Sequence, residues 1–292
     1  MVYSWYLPTL ISAVGLGLYN VTNKHAVKDN AVMPVVFFAT LSGSALFVLV
    51  SLCRYGAAPF FRGAATEHIL VIAKAMLVSS SWICVYGALR ELPISLAAPI
   101  RSTSPLWTLA GGILLYREIP NWHQAGGMVL ILTGYMMFSL LGGKEGFSWR
   151  SRGMRLILAG TLLGAASALY DKYLLNVRQM DRLFLQFFYS LDLVAVLGAA
   201  WGAAALFGRR DKLVWRWSIP STGVLLILSD FCYFYALGLP GAQISMISLL
   251  RRCSCVVTFF LGAKLFHDVN LKRKTAALVL LLGGAALLAL AK

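Results

Sequence analysis

The chain has 292 residues, is 59% hydrophobic, and carries only 13% Asp, Glu, Lys and Arg. A soluble domain holds about a quarter charged residues, so this composition names lipid rather than water as the main solvent. The net charge of +15 does not indicate nucleic acid, because Lys and Arg fall in short clusters between apolar runs and no stretch could fold alone as a basic domain.

About 20 apolar residues cross a hydrocarbon core of ~30 Å. Ten such runs follow one another: Trp5–Asn23, Met33–Cys53, His68–Leu89, Ile94–Tyr116, Trp122–Leu141, Arg155–Leu175, Leu183–Phe207, Trp217–Gly238, Ala242–Phe266 and Lys274–Ala291. The connections are short, and those at Arg90–Pro93 and Leu239–Gly241 are almost loop-free. The first run lacks a basic leader and a cleavage site, so it reads as a retained helix. The expected fold is an all-α integral membrane protein in a cell (plasma or inner) membrane, crossing it many times.

The two halves of the chain repeat. At an offset of 150 residues Phe37-Phe38 meets Phe187-Phe188, Arg101 meets Arg251, Ser104 meets Ser254, Thr108 meets Thr258, and Glu118 meets Asp268. Tyr19 meets Tyr170 at an offset of 151. A polar series held in one register is the informative part, since apolar helices match by chance. The expected division is 1–141 as the first five-helix repeat, 142–154 as the connection and 155–292 as the second repeat. An odd number of spans per half makes the repeat inverted, the plan of many secondary transporters, with the site near the midplane. Setting aside five basic residues inside spans, 21 of the 26 Lys and Arg remain; 14 follow odd-numbered spans and 7 lie on the side of the termini. The positive-inside rule would place both termini outside.

Arg101, Arg251 and Arg252 lie within spans, where a charge costs roughly 2.5–3.5 kcal/mol even on a lenient scale. On continuous helices, Arg101, Pro105, Thr108 and Gly112 share one stripe, and Ser248, Arg251, Cys255, Thr258 and Gly262 share the equivalent one. An arginine beside small residues and a hydroxyl makes a groove for an anion, and its planar fork suits phosphate or carboxylate. Asp192, Asp230 and Asp171 are the acids available to pair with these cations, and Asp192 and Asp230 are also candidates for proton coupling. Lys74 reads as a structural residue that snorkels from near a helix end. Tyr19 and Tyr170 join the candidate site through their pairing in the repeat, and Trp82, Tyr86, Tyr233 and Tyr235 are further candidates for the cavity wall. The cysteines Cys53, Cys84, Cys232, Cys253 and Cys255 read as small packing residues. No histidine has ligand partners at metal spacing and no phosphate-binding loop is present, so neither an enzyme, an ATPase nor a cofactor protein is expected.

The Gly17–Lys24 segment, the Ala97–Trp107 segment, and Leu115–Glu118 followed by Gly126 and Gly134 resemble the drug/metabolite transporter superfamily, most closely its EamA-like branch. His267-Asp268 departs from the glutamate usual in the second half of such proteins. Ile100-Arg101 ahead of Ser104-Pro105, and Arg251-Arg252 ahead of Cys253–Val256, resemble the basic sites of sugar-phosphate/phosphate translocators. That resemblance implies Arg101, Arg251 and Arg252 as phosphate ligands, with both termini in the cytoplasm, against the charge count. The expected function is exchange of a small organic anion, phosphorylated on this resemblance, by alternating access, with Thr108 and Thr258 donating hydrogen bonds and membrane lipids as surroundings. The alternatives are a lipid-phosphate or lipid-linked-sugar flippase and an amino-acid or metabolite exporter whose arginines are engaged by Asp192 and Asp230.

Overall fold

A computed structural model describes residues 5–57, 63–92, 97, 100, 101, 103–140, 151–206, 212–266 and 271–290. Asp268 and most of the 142–154 connection lie outside the described residues. Those described form helices and no strand: α1 (Tyr6–Ala26), α2 (Val32–Tyr55), α3 (Ala65–Glu91), α4 (Ser104–Tyr116), α5 (Trp122–Leu140), α6 (Arg152–Lys172), α7 (Arg182–Leu206), α8 (Ser218–Leu237), α9 (Ile244–Leu250), α10 (Ser254–Phe266) and α11 (Leu271–Leu290). Among them, six spans are long and apolar enough to cross a membrane: Val32–Tyr55, Ala65–Glu91, Arg152–Val177, Arg182–Leu206, Ser218–Leu237 and Ile244–Leu261. Large apolar side chains such as Leu114, Leu115 and Leu206 face outward, and Trp122 and Trp217 sit exposed at helix ends. That is the surface a lipid-embedded bundle presents, with aromatics at the interface.

Two expected spans differ from continuous α-helix. The fourth is broken: Ala97, Ile100 and Arg101 are helical, Thr103 is a turn, and α4 begins at Ser104 with Pro105 in its first turn, where a missing N–H costs nothing. The ninth is interrupted: α9 ends at Leu250, Arg251–Cys253 form a 3-10 turn, and α10 restarts at Ser254. Both helices therefore begin at repeat-matched serines, Ser104 and Ser254, a turn beyond Arg101 and Arg251. The sixth span also changes winding, from α6 into a π segment at Tyr173–Val177.

Packing interleaves the two halves of the chain. α1 lies on α8, α3 on α6, α2 on both α7 and α8, and α5 on α11. Lipid gives apolar faces little reason to associate, so close backbone approach and polar contacts hold such helices together. Gly43 on α2 meets the backbone of Gly223 on α8, and Gly127 on α5 meets Gly284 on α11. Ser229 Oγ donates to the Ser12 carbonyl at 2.8 Å, and Ser81 Oγ donates to the Gly160 carbonyl at 2.7 Å.

Tyr6 Oη donates to the Leu288 carbonyl at 2.6 Å, so the first and last helices meet at one end of the bundle, here called the terminal face. The main apolar cluster closes that face with Leu174, Leu185, Phe234, Leu237, Ile244, Met246 and Ile247. Toward the opposite face two smaller clusters stand apart. One joins α3 to α6 through Val85, Ala88, Met154 and Ile157, and the other joins α1, α2 and α8 through Ala26, Val35, Ala39 and Ile219. Among the described residues, the apolar packing is continuous at the terminal face and divided at the other.

Candidate functional site

A cavity of about 650 Å³ occupies the middle of the bundle. Such a volume lies within the range of ordinary small-molecule sites. Its wall includes Arg101, Arg251, Arg252, Lys74, Asp171 and Asp230, together with Tyr19, Asn20, Trp82, Tyr135, Tyr189 and Tyr233.

The four cations are in different states. Arg251 is half-buried; its Nη2 donates to Asp230 Oδ1 at 2.9 Å, and its guanidinium lies 4.3 Å from the centre of the Tyr233 ring. Lys74 is 3% exposed and forms an ion pair with Asp171, with Ser167 Oγ 3.2 Å from its Nζ and the Tyr189 ring 4.7 Å away. This corrects the expectation that Lys74 snorkels from near a helix end: it stands well inside α3, 3% exposed at the cavity wall, where a buried acid compensates it. Arg252 makes no ion pair with any described residue; the Tyr135 ring lies 5.7 Å away, and the Arg252 Nε, like that of Arg251, is buried without a hydrogen-bond partner. Arg101 is exposed to the cavity and makes no ion pair with any described residue. Among the described residues, two of these cations are thus paired with acids and two are not.

Sequence symmetry between Arg101 and Arg251 does not extend to their partners. The residue 150 positions before Asp230 is Ser80, so the first half has no acid to hold Arg101. Asn20 stands 151 positions before Asp171, and both line the cavity.

The remaining candidates lie elsewhere. Thr108 is buried and its Oγ1 donates to the Ser104 carbonyl at 3.2 Å, one turn back. Thr258 Oγ1 donates to the Gly17 and Ser254 carbonyls at 3.3 and 3.0 Å and accepts from Asn20 Nδ2 at 3.4 Å. Tyr170 Oη donates to the Leu70 carbonyl at 3.2 Å and its ring stacks on Tyr173. Asp192 is half-buried on α7. None of these four lines the cavity. In the ninth span Ser248, Arg251, Arg252 and Ser254 do, whereas Cys255 and Thr258 do not. A 3-10 turn advances side chains by about 120° per residue rather than 100°, so positions beyond the arginines leave the stripe a continuous helix would give. Tyr86 and Tyr235 are also absent from the wall, and Tyr135 and Tyr189 take part in it.

One buried acid lies outside the cavity wall. Glu118, just past α4, accepts from the Ile244 and Ser245 backbone N–H groups at 2.8 and 3.0 Å and from Ser245 Oγ, and forms an ion pair with Lys172. It caps α9 and fastens the terminal face where the two halves of the chain meet. A carboxylate suits that place, since the first N–H groups of a helix lack internal acceptors. Its signal in the sequence was a lone acid at the end of an apolar run.

All five thiols are free, and no group of His, Cys, Asp and Glu among the described residues has the makings of a metal site.

Comparison with known proteins adds the family. No curated protein matches the chain. A solved structure bearing the description "Crystal structure of protein" superposes with a TM-score of 0.79 at 16% identity, over 100% of this chain and 98% of that one, which shows a shared fold. Residues 3–140 match the model of the EamA-like transporter family. With its apolar helices and this match over residues 3–140, the protein is a multi-pass membrane protein whose first part is similar to the EamA-like transporter family.

Proposed function

We propose that the protein is a secondary transporter of a small organic dianion, a phosphate monoester by preference, held at Arg101 and Arg252. The observation that carries this is the charge ledger of the cavity. Lys74, Arg101, Arg251 and Arg252 face Asp171 and Asp230, four cations against two acids, and the excess of two resides on the two unpaired arginines. A phosphate monoester carries about −1.5 to −2 at neutral pH, which cancels that excess, whereas a single carboxylate leaves half of it. Arg251, held by Asp230 and stacked on Tyr233, shapes the wall and orients the site. An amino-acid exporter reading expects the arginines to be engaged by acids; the Arg251–Asp230 pair meets that expectation, and Arg101 and Arg252 do not.

The transport plan proposed is alternating access by ten spans in two inverted five-helix repeats, 1–141 and 155–292 joined by 142–154, in a plasma or inner membrane. The reciprocal packing of α1 on α8 and α3 on α6 supports it, since each contact becomes the other when the halves exchange. So do the matched helix starts at Ser104 and Ser254. The cavity, sealed toward the terminal face, corresponds to one of the two access states.

The test uses purified protein in liposomes loaded with inorganic phosphate, following entry of labelled phosphate. Saturable exchange in the wild type, removed by Arg101→Ala and by Arg252→Ala, supports the reading. Exchange that survives both substitutions, or none in the folded wild type, refutes it.

A further inference from the structure

We infer that the Lys74–Asp171 pair is a proton-binding site at the closed end of the cavity and couples proton movement to the anion. The inference rests on the dianion reading for its coupled ion, though not for the proton site itself.

Both members line the cavity, both are almost inaccessible to bulk water, and they come from different helices, α3 and α6. The surroundings are those of an exchangeable pair rather than a fixed strut. Lys74 has further partners ready on three elements: Ser167 Oγ on α6, the Tyr189 ring on α7, and the Phe234 ring on α8 at 5.5 Å. Tyr233 Oη donates to Asp171 Oδ2 at 3.0 Å. The other titratable groups facing the pair are Asp230 and Tyr233 on α8, Tyr189 on α7, Arg251 beyond the Tyr233 ring, and Tyr116 on α4. Lys172, next in sequence to Asp171, is committed to Glu118 on the terminal face and offers no substitute cation.

The step is a proton transfer from cavity water to an Asp171 carboxyl oxygen. The ionic contact with Lys74 breaks, the lysine remains an ammonium held by the Tyr189 ring and Ser167, and no covalent bond to carbon changes. The cavity gains one positive charge, which strengthens anion binding at Arg101 and Arg252. Linkage is reciprocal, so a bound anion favours the proton equally. When the anion leaves, Asp171 releases its proton to the same side and the ion pair re-forms. Proton and anion therefore travel together.

The first experiment records the infrared difference spectrum of the protein in lipid nanodiscs between mildly alkaline and mildly acidic conditions. The expected result is a protonated-carboxyl band in the wild type that is lost in Asp171→Asn. Should that variant fail to fold, Lys74→Met/Asp171→Asn removes both charges and serves instead. No band in the wild type, or a band retained by the variant, overturns the proposal. The second experiment follows internal pH in phosphate-free liposomes as inorganic phosphate enters down its gradient, since one-for-one exchange would carry equal protons both ways. Inward proton movement in the wild type, abolished in the same variant, supports coupling. Net phosphate entry without proton movement overturns the coupling and leaves the anion reading standing. Absence of phosphate exchange, with the infrared band present, overturns the anion reading and leaves the proton site established.

Discussion

Arg251 donates to Asp230 at 2.9 Å, while Arg101, its counterpart in the repeat, makes no ion pair with any described residue. The pairing separates two arginines that the sequence presents as equals. On the function proposed, one shapes the wall and the other holds the ligand.

Their substitutions should differ accordingly. Truncating a desolvated ion contact costs about 2–5 kcal/mol, so Arg101→Ala should lower anion binding by roughly 30-fold or more without altering the melting temperature. Arg101→Lys should recover only part, since an ammonium lacks the guanidinium fork. Arg251→Ala strands Asp230, and loss of one partner from a buried pair costs roughly 3–5 kcal/mol, less here because both are partly exposed. It should lower the melting temperature, and Arg251→Met/Asp230→Leu should restore it. Thermal unfolding in detergent beside a phosphate-binding titration reads both quantities; equal melting temperatures for Arg251→Ala and wild type would refute the assignment.

Thr108→Val and Thr258→Val are expected to transport normally. Both hydroxyls already donate to helix carbonyls and neither reaches the cavity. Such back-bonding adds little to a helix, so stability should shift by less than about 1 kcal/mol. A large rise in the phosphate concentration for half-maximal exchange, in either variant, would return these hydroxyls to the binding site.

Gly43→Ala should impair folding despite adding one methyl group. Its Cβ would fall on the Gly223 carbonyl, which is backbone and cannot rotate away. Overpacking of this kind costs about 1–3 kcal/mol and here would push α2 off α8. Gly202, with open space around it, is the control. Yield and melting temperature of Gly43→Ala and Gly202→Ala decide the point.

Glu118→Ala should loosen the terminal face. It leaves the Ile244 and Ser245 N–H groups without acceptors and Lys172 without its acid. In a background stripped of the five native cysteines, Ser245→Cys should be labelled from that face faster when combined with Glu118→Ala. Unchanged labelling would mean that Glu118 does not hold this end shut.

Much of this was legible in the chain, and the rest fails for identifiable reasons. Apolar run length located the helices, and the matched Arg101 and Arg251 located the cavity. Helical periodicity tells which residues share a face but not which helix covers it, so Lys74 and Asp171 could not be joined across 97 positions. A partial signal was present: Lys74 is the only charge in its apolar run, and a lone cation in lipid has reason to meet an acid, but Asp171 stands beside Lys172 near the end of its own run. The stripe through Thr258 assumed unbroken winding, and the 3-10 turn at Arg251 removes that assumption. Arg251 and Arg252 announce no such break in composition, since neither Gly nor Pro is nearby.

The contact between Gly43 and Gly223 also bears on what can move. α2 and α8 touch backbone to backbone, and α1 lies on α8 with its own serine bonds, so these three helices form one rigid piece. α3 and α6 form a second tight pair, and α7 bridges the two, packing on α3 and on α2. Each piece draws helices from both halves of the sequence. A rocking motion would then divide the protein along a line that the chain crosses repeatedly. Every crossing, including the one between α2 and α3, has to bend in step, which makes short loops in this protein a mechanical constraint on transport rather than mere economy of chain.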